Sequence, residues 1–169
     1  MLFRSNFINP VGKDLLLDEI QNGKAEFDKL VDSSDLLPEE QKKNFQESVR
    51  RKAAEAEDAI QKLDVNAATA EQAEVIQEQA VTEEDKFFKF IAGSTVDFTL
   101  ASKLADLEAN PNLSEAEKKA VRGEIEQVVE AAKKAIEGAD SQEVYDRAKE
   151  TAIAHLGREI GRASCRERV

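Results

Sequence analysis

Two stretches of the chain, 76 positions apart, carry the same start motif followed by the same apolar spacing. Residues 37–43 read LPEEQKK and residues 113–119 read LSEAEKK. At that offset, six apolar residues of the first stretch fall on six of the second: Phe45, Val49, Ala53, Ala56, Ile60 and Leu63 on Val121, Ile125, Val129, Ala132, Ile136 and Ala139. Steps of three and four residues place such side chains on one face of an α-helix. The sequence therefore predicts a tandem repeat built around a long amphipathic helix.

Capping signals define the ends of these two helices. Ser114 and Glu117 have the spacing of a capping box, so the second long helix should begin at this point. Gly138 is placed to end it. Pro38 occupies the equivalent start in the first unit, where a missing N–H is harmless.

A third helix is predicted to follow in each unit. Thr69 with Gln72 opens it in the first unit, and Asp140 or Ser141 opens it in the second. The predicted apolar faces are Ala73, Ile76, Ala80, Phe87 and Ile91 in the first unit, and Val144, Tyr145, Ala148, Ala152 and Leu156 in the second. The acidic run at 82–85 is a further start signal, so a break near residue 82 stays open.

Shorter helices are expected before each long one. Asn22-Gly23 and Gly93-Ser94 are interpreted as the interruptions that precede them. Their apolar faces are Phe27, Leu30 and Val31 in the first unit, and Leu100, Leu104 and Leu107 in the second. Residues 13–21 are interpreted as the end of a preceding unit's last helix, with a kinked extension of the next helix as the alternative.

The predicted fold class is all-α, with tandem three-helix bundles in an elongated arrangement, because three amphipathic helices can enclose a shared core. The expected units are residues 23–92 and residues 93–158, the second one truncated, with residues 6–22 as the end of a preceding repeat. Four phenylalanines lie at the boundary: Phe87, Phe88, Phe90 and Phe98. They are either ordinary core or a hydrophobic joint that stiffens a rod.

Both ends of the chain depart from this pattern. Residues 159–169 are basic, contain the only Cys and lack an apolar repeat. They resemble translated short-read sequencing adapter, and residues 1–5 resemble the opposite adapter in the same way. We therefore expect residues 6–158 to be an internal fragment of a longer gene, and we set both ends aside in reasoning about the fold.

Charge and composition exclude several classes of protein. The formal net charge is −11, which argues against a binder of nucleic acid or another polyanion. No apolar run approaches the length of a membrane span. A single Cys excludes a disulfide framework.

No catalytic, cofactor-binding or metal-binding residues are predicted. His155 has no Glu or His at the spacing of a zinc helix, and Ala152 stands where a Glu-x-x-His pair would need its Glu. The acidic groups are assigned to solvated faces: Glu39-Glu40, Glu83-Glu84-Asp85, and Glu124 with Glu126. The basic run Arg50-Arg51-Lys52 is expected to pair with Glu47, Glu55 and Asp58 along its helix. We expect no enzyme and no cofactor.

A family resemblance rests on the second unit. Four segments carry it: Asn110-Pro111, the start motif at 113–119, the Ala/Ile helix at 131–136 and the segment 139–144. Together they resemble the three-helix repeats of giant Gram-positive surface adhesins that bind extracellular matrix. The resemblance implies an extracellular, cell-wall-anchored rod that displays or spaces adhesive regions. It also implies a host matrix or serum protein as a possible partner, adjacent repeats as neighbours, and no catalytic residues.

Two alternatives come from other classes. Residues 113–156 are also similar to the helical lid of ATP-dependent heat-shock chaperones, with Gly138-Ala139-Asp140 as its turn. The tandem repeat argues against this, since a lid occurs once. The third interpretation is a cytoplasmic helical scaffold or coiled-coil protein.

Overall fold

The computed structural model describes residues 12–63 and 66–166, with side chains up to residue 159. These residues form five α-helices: α1 (Lys13–Asp32), α2 (Glu39–Gln61), α3 (Ala70–Ala109), α4 (Glu115–Glu137) and α5 (Gln142–Arg166). The prediction of an all-α fold is confirmed. The longest helix, α3, has 40 residues and measures about 60 Å at 1.5 Å per residue.

The five helices form two three-helix bundles that share α3. Helices α1, α2 and α3 pack against one another, and so do α3, α4 and α5. Within the described residues, α1 and α2 do not pack against α4 or α5. The middle helix is therefore the structural link between the two bundles.

The shared helix serves two cores with two of its faces. Phe87 and Phe98 are buried in the first core, with α1 and α2. Ala92, Val96 and Leu107 are buried in the second core, with α4 and α5. From residue 87 to residue 107 the two sets interleave along the sequence, so the bundles lie side by side over this part of α3.

The repeated apolar spacing is confirmed. All six residues of the second unit are buried, as are Val49, Ala53, Ala56 and Ile60 of the first, while Phe45 and Leu63 are half-buried. Elsewhere, the prediction for Val144 is wrong. Its side chain is 42% exposed, because Tyr145 turns into the core in its place.

The predicted caps are observed, except that one side chain accepts its hydrogen bond from a neighbouring residue. Ser114 and Glu117 form a complete capping box at the start of α4, and Gly138 caps its end. The Thr69 hydroxyl accepts a hydrogen bond from the Gln72 backbone N–H (3.2 Å). The Gln72 side chain reaches one residue further than in a capping box and accepts from the Ala68 N–H (3.0 Å).

The two predicted interruptions are wrong, because Gly23 lies inside α1 and Gly93 lies inside α3. The break near residue 82, which the sequence left open, does not occur, since Thr82 also lies inside α3. A glycine within a helix costs only about 1 kcal/mol, which tertiary packing can outweigh. The first helix of each unit is consequently not short: α1 has 20 residues, and its counterpart in the second unit is the end of α3.

The C-terminal segment that was set aside is helical in backbone as far as the structure describes it. Helix α5 continues through residue 166, so it includes residues 159–166. The adapter hypothesis and the unit boundaries stay predictions. Residues 1–5, and part of the segment 6–22, lie outside the described residues.

Candidate functional site at the joint of the two bundles

We use the name joint for residues 84–98 of α3 together with the side chains that pack on them from the other four helices. Phe87 and Phe98 are buried there, and Phe88 and Phe90 are half-buried. Phe98 meets Phe45 of α2 edge-on, with ring centroids 5.6 Å apart, and Phe87 meets Phe88 at 5.5 Å. Such edge-to-face pairs add stabilisation to the burial of the rings. Phe88 packs against both cores, so it connects the two bundles directly.

Helix α1 reaches the joint at Gly23. A Cβ at this position would lie 2.9 Å from Phe88 Cε1 and 3.3 Å from Ile91 Cδ1. The missing side chain therefore allows α1 to pack closely on the aromatic part of α3. The signal interpreted from sequence as an interruption is a packing contact.

Polar contacts tie α3 to the second bundle at the same level. Lys89 Nζ donates a hydrogen bond to the Ala139 carbonyl (2.7 Å), in the connection between α4 and α5, and lies 3.4 Å from Asp85 Oδ2. Lys133 of α4 pairs with Asp97 at 2.9 Å. These contacts lie outside the apolar core and fix the position of α4 and α5 along α3.

Tyr145 of α5 is the only tyrosine of the chain, and it is 2% exposed. Burial raises the pKa of its phenol well above the ordinary value, and the negative charges of Asp85 and Asp146 raise it further. The hydroxyl also donates a hydrogen bond to the Asp85 carboxylate. This contact links α5 to the acidic run of α3.

The acidic run 83–85 was assigned to a solvated face, and for Glu84 this assignment is wrong. The pKa of the Glu84 carboxyl is raised to about 7, mainly by burial and also by the facing Glu19 carboxyl of α1 and the adjacent Asp85. Glu84 follows Ala80 by four residues and precedes Phe87 by three, so it occupies a core position of the apolar series. That spacing is the signal by which the sequence could have identified it.

The basic run on α2 behaves partly as predicted. Lys52 pairs with Glu55 at 3.2 Å, and its ammonium also lies 5.6 Å from the centre of the Phe90 ring. Asp58, another of the three expected partners, pairs with Lys62 instead (2.6 Å). Because Lys52 is on α2 and Phe90 is on α3, the cation–π contact adds to the joint from the first bundle.

His155 borders a shallow apolar groove between α4 and α5, whose lining includes Ala132, Ala135 and Ala148. Its Nε2 lies 3.4 Å from Glu159 Oε1. Among the described residues, no group of three or more His, Cys, Asp or Glu side chains is arranged to hold a metal ion. In the same part of the chain, no helix has the length and apolar character needed to cross a membrane.

Comparison with known proteins finds a likeness over part of the chain. The chain matches no curated protein and no solved structure. Residues 89–158, which include the second half of α3 with α4 and most of α5, match the model of a family described as a domain of unknown function, DUF1542. This part of the chain is thus similar to a helical repeat found in bacterial surface proteins.

Proposed function

We propose that this chain is a structural segment of a long bacterial surface protein, in which overlapping three-helix units act as a stiff spacer. In this role it holds other regions of the protein away from the cell wall. The proposal assigns the chain no catalytic step and no cofactor.

The observation that carries the proposal is the double use of α3. One helix contributes two apolar faces to two cores, and Phe88 packs against both. Bending at the joint would separate packed side chains in both bundles at once, which is costly because protein interiors are close-packed. A flexible linker between the units would have no such resistance.

The geometry also gives the displacement between units. Gly23 of α1 faces Phe88 of α3, whereas its counterpart at the repeat offset is Thr99, 11 residues further along α3. At 1.5 Å per residue, the second unit is displaced from the first by roughly 16 Å along the shared helix. Units arranged in this way would build a thick, overlapping rod.

An extracellular, cell-wall-anchored location belongs to the same proposal. Its support is the match of residues 89–158 to a repeat found in bacterial surface proteins, together with the resemblance of the start motif to matrix-binding adhesins. A chaperone lid is less consistent with the structure, because a lid occurs once and two bundles are present here.

Force spectroscopy on the full chain, held between two reference domains, tests the spacer role. If the bundles support each other through α3, the force that unfolds the first bundle should be lower in Ile136→Asp than in the natural chain. The same unfolding force in both proteins would contradict the proposal, because the units would then be independent beads.

A binding assay distinguishes the spacer from an adhesive rod. The purified chain is passed over immobilised matrix and serum proteins, such as fibronectin and albumin. The spacer role predicts no saturable binding. Saturable binding that is lost in Ile136→Asp would overturn it in favour of an adhesive function.

A further inference from the structure

The clearest departure from the repeat within the fold is a pair of carboxyl groups in the first bundle. Glu84 projects from α3 at a core position and faces Glu19 of α1. Glu84 Oε2 is inaccessible to solvent, and among the described residues no donor lies within hydrogen-bonding distance of it. Two facing carboxyl groups can hydrogen-bond only when one of them carries a proton.

The second bundle shows what the same position holds otherwise. Helices α3 and α5 begin directly after Thr69 and Ser141, which lie 72 positions apart. At this offset Ala80 corresponds to Ala152, and both are buried. Glu84 then corresponds to Leu156, which is fully buried. At the repeat offset of 76, Glu19 corresponds to Thr95, whose hydroxyl donates to Ile91 O of its own helix (2.8 Å). The carboxyl pair is therefore particular to the first bundle.

We propose that Glu19 and Glu84 form a proton-dependent clasp between α1 and α3, closed when the pair shares a proton and weakened when both carboxyls are ionised. In the closed state the two side chains hydrogen-bond across the helix interface. In the ionised state two negative charges face each other in a partly buried site, which favours separation of α1 from the joint.

The surrounding charges favour the protonated state near neutral pH. Asp85, next to Glu84 on α3, adds negative charge. Tyr145 from α5 lies close to Asp85 and Glu84 as a neutral phenol. Glu57, from α2, is bonded to Gln21 of α1. In agreement with this geometry, the pKa of Glu84 is raised to about 7.

The pH dependence follows from proton linkage. A carboxyl that is more basic in the folded state than in the unfolded state binds more protons when folded. Its contribution to stability is full below the unfolded pKa of 4.5 and is lost as pH rises through about 7. The clasp should therefore hold in mildly acidic medium and loosen in mildly alkaline medium.

The test compares the full chain with Glu84→Gln, which keeps the shape, removes the charge and supplies an amide donor to Glu19. The matched control is Glu78→Gln, an exposed glutamate of the same helix. Between pH 5 and pH 8 the unfolding temperature of the natural chain and of the control should fall by several degrees more than that of Glu84→Gln. Parallel profiles for all three proteins would overturn the clasp.

A direct measurement avoids dependence on global unfolding. In carboxyl-¹³C NMR of the glutamate-labelled chain, one resonance should titrate near pH 7, and it should be absent from Glu84→Gln. Amide exchange in α1, corrected for its intrinsic pH dependence, should accelerate above that pH in the natural chain alone. If every glutamate titrates below about pH 5.5, the proposal is wrong. If Glu84→Gln does not fold, Glu19→Gln provides the same comparison.

Discussion

Lys42 and Lys118 occupy the same position, 76 residues apart, in two equivalent helices, and both are almost fully buried. Each lies three residues after an acidic partner, with Nζ 3.2 Å from Glu39 Oε1 and 3.5 Å from Glu115 Oε1. Their exposed fractions are 8% and 9%. The start motif thus repeats in tertiary environment as well as in sequence.

Lys118 has a further role at the end of the shared helix. Its Nζ donates a hydrogen bond to the Glu108 carbonyl (3.1 Å) at the end of α3. The last carbonyls of a helix have no N–H partner within the helix, so a lysine can supply the missing donor. Lys118→Met keeps the apolar stem and removes the donor, so we expect a loss of about 1–2 kcal/mol in the free energy of unfolding. Chemical denaturation measures it. Lys119→Met, at an exposed neighbour, is the control and should change little.

Gly23 and Gly93 form a natural pair for testing the joint. Alanine at Gly93 meets no atom within 4 Å, so Gly93→Ala should stabilise the chain by about 0.5–1 kcal/mol through helix propensity alone. Alanine at Gly23 meets Phe88 at 2.9 Å, and Gly23→Ala should lose that gain or destabilise the chain. Thermal unfolding compares the two variants. Equal stabilisation by both would show that α1 is not closely packed on α3.

Ile136 tests how far the bundles depend on each other. It is 2% exposed and belongs to the second core, so Ile136→Asp places an unpaired charge in that core and should cost more than about 3 kcal/mol. Because the first core contains no residue of α4 or α5, we expect α1 and α2 to stay protected in hydrogen exchange while α4 and α5 lose protection.

The control for this experiment adds the same charge one residue earlier. Ala135→Asp lies at an exposed position of α4 and should leave the exchange of all five helices nearly unchanged. Uniform loss of protection in Ile136→Asp would mean that the first bundle does not fold without the second.

Tyr145 gives a spectroscopic reading of the joint, since it is the single tyrosine and the chain has no tryptophan. Its phenol should ionise above the ordinary pKa of 10.0, first because it is buried and second because Asp85 lies beside it. Because the folded state holds this proton more tightly, stability should decline as pH rises above 10. Ultraviolet absorbance of the phenolate follows the titration.

Asp85→Asn separates the two causes. Removing the charge should lower the pKa of Tyr145, while burial keeps it above that of the unfolded chain. Asp140→Asn, at an exposed position before α5, should leave the titration unchanged. If Tyr145 titrates identically in the natural chain, Asp85→Asn and Asp140→Asn, then Asp85 does not contribute to the raised pKa.

The parts of the fold that the sequence predicted depend on neighbours along the chain. The six apolar pairs, the capping box at Ser114 and the end of α4 at Gly138 follow from helical spacing and from the hydrogen bonds of helix ends. These are local properties, and the same residues satisfy them in any packing arrangement.

The continuity of α3 was missed for an identifiable reason. Gly93 is a typical helix-end signal, but one glycine within a helix has only a modest cost, so it does not end α3. The sequence also contains a second signal. Between residues 86 and 107 the apolar residues lie all round the helix instead of on one face, which is typical of a helix surrounded by others. The burial of Glu84 is not expected from its charge, which is typical of a solvated face, although its place in the apolar series indicates a core position.

The sequence by itself determined where α2, α3, α4 and α5 begin, where α4 ends, and which side of α2 and α4 is apolar, since spacing at three and four residues and capping act within a turn or two. Only the tertiary structure decided that α3 belongs to two bundles and that Glu19 meets Glu84. Those relationships depend on which faces of distant helices pack together, and that choice is made by side-chain shape and burial across the whole fold.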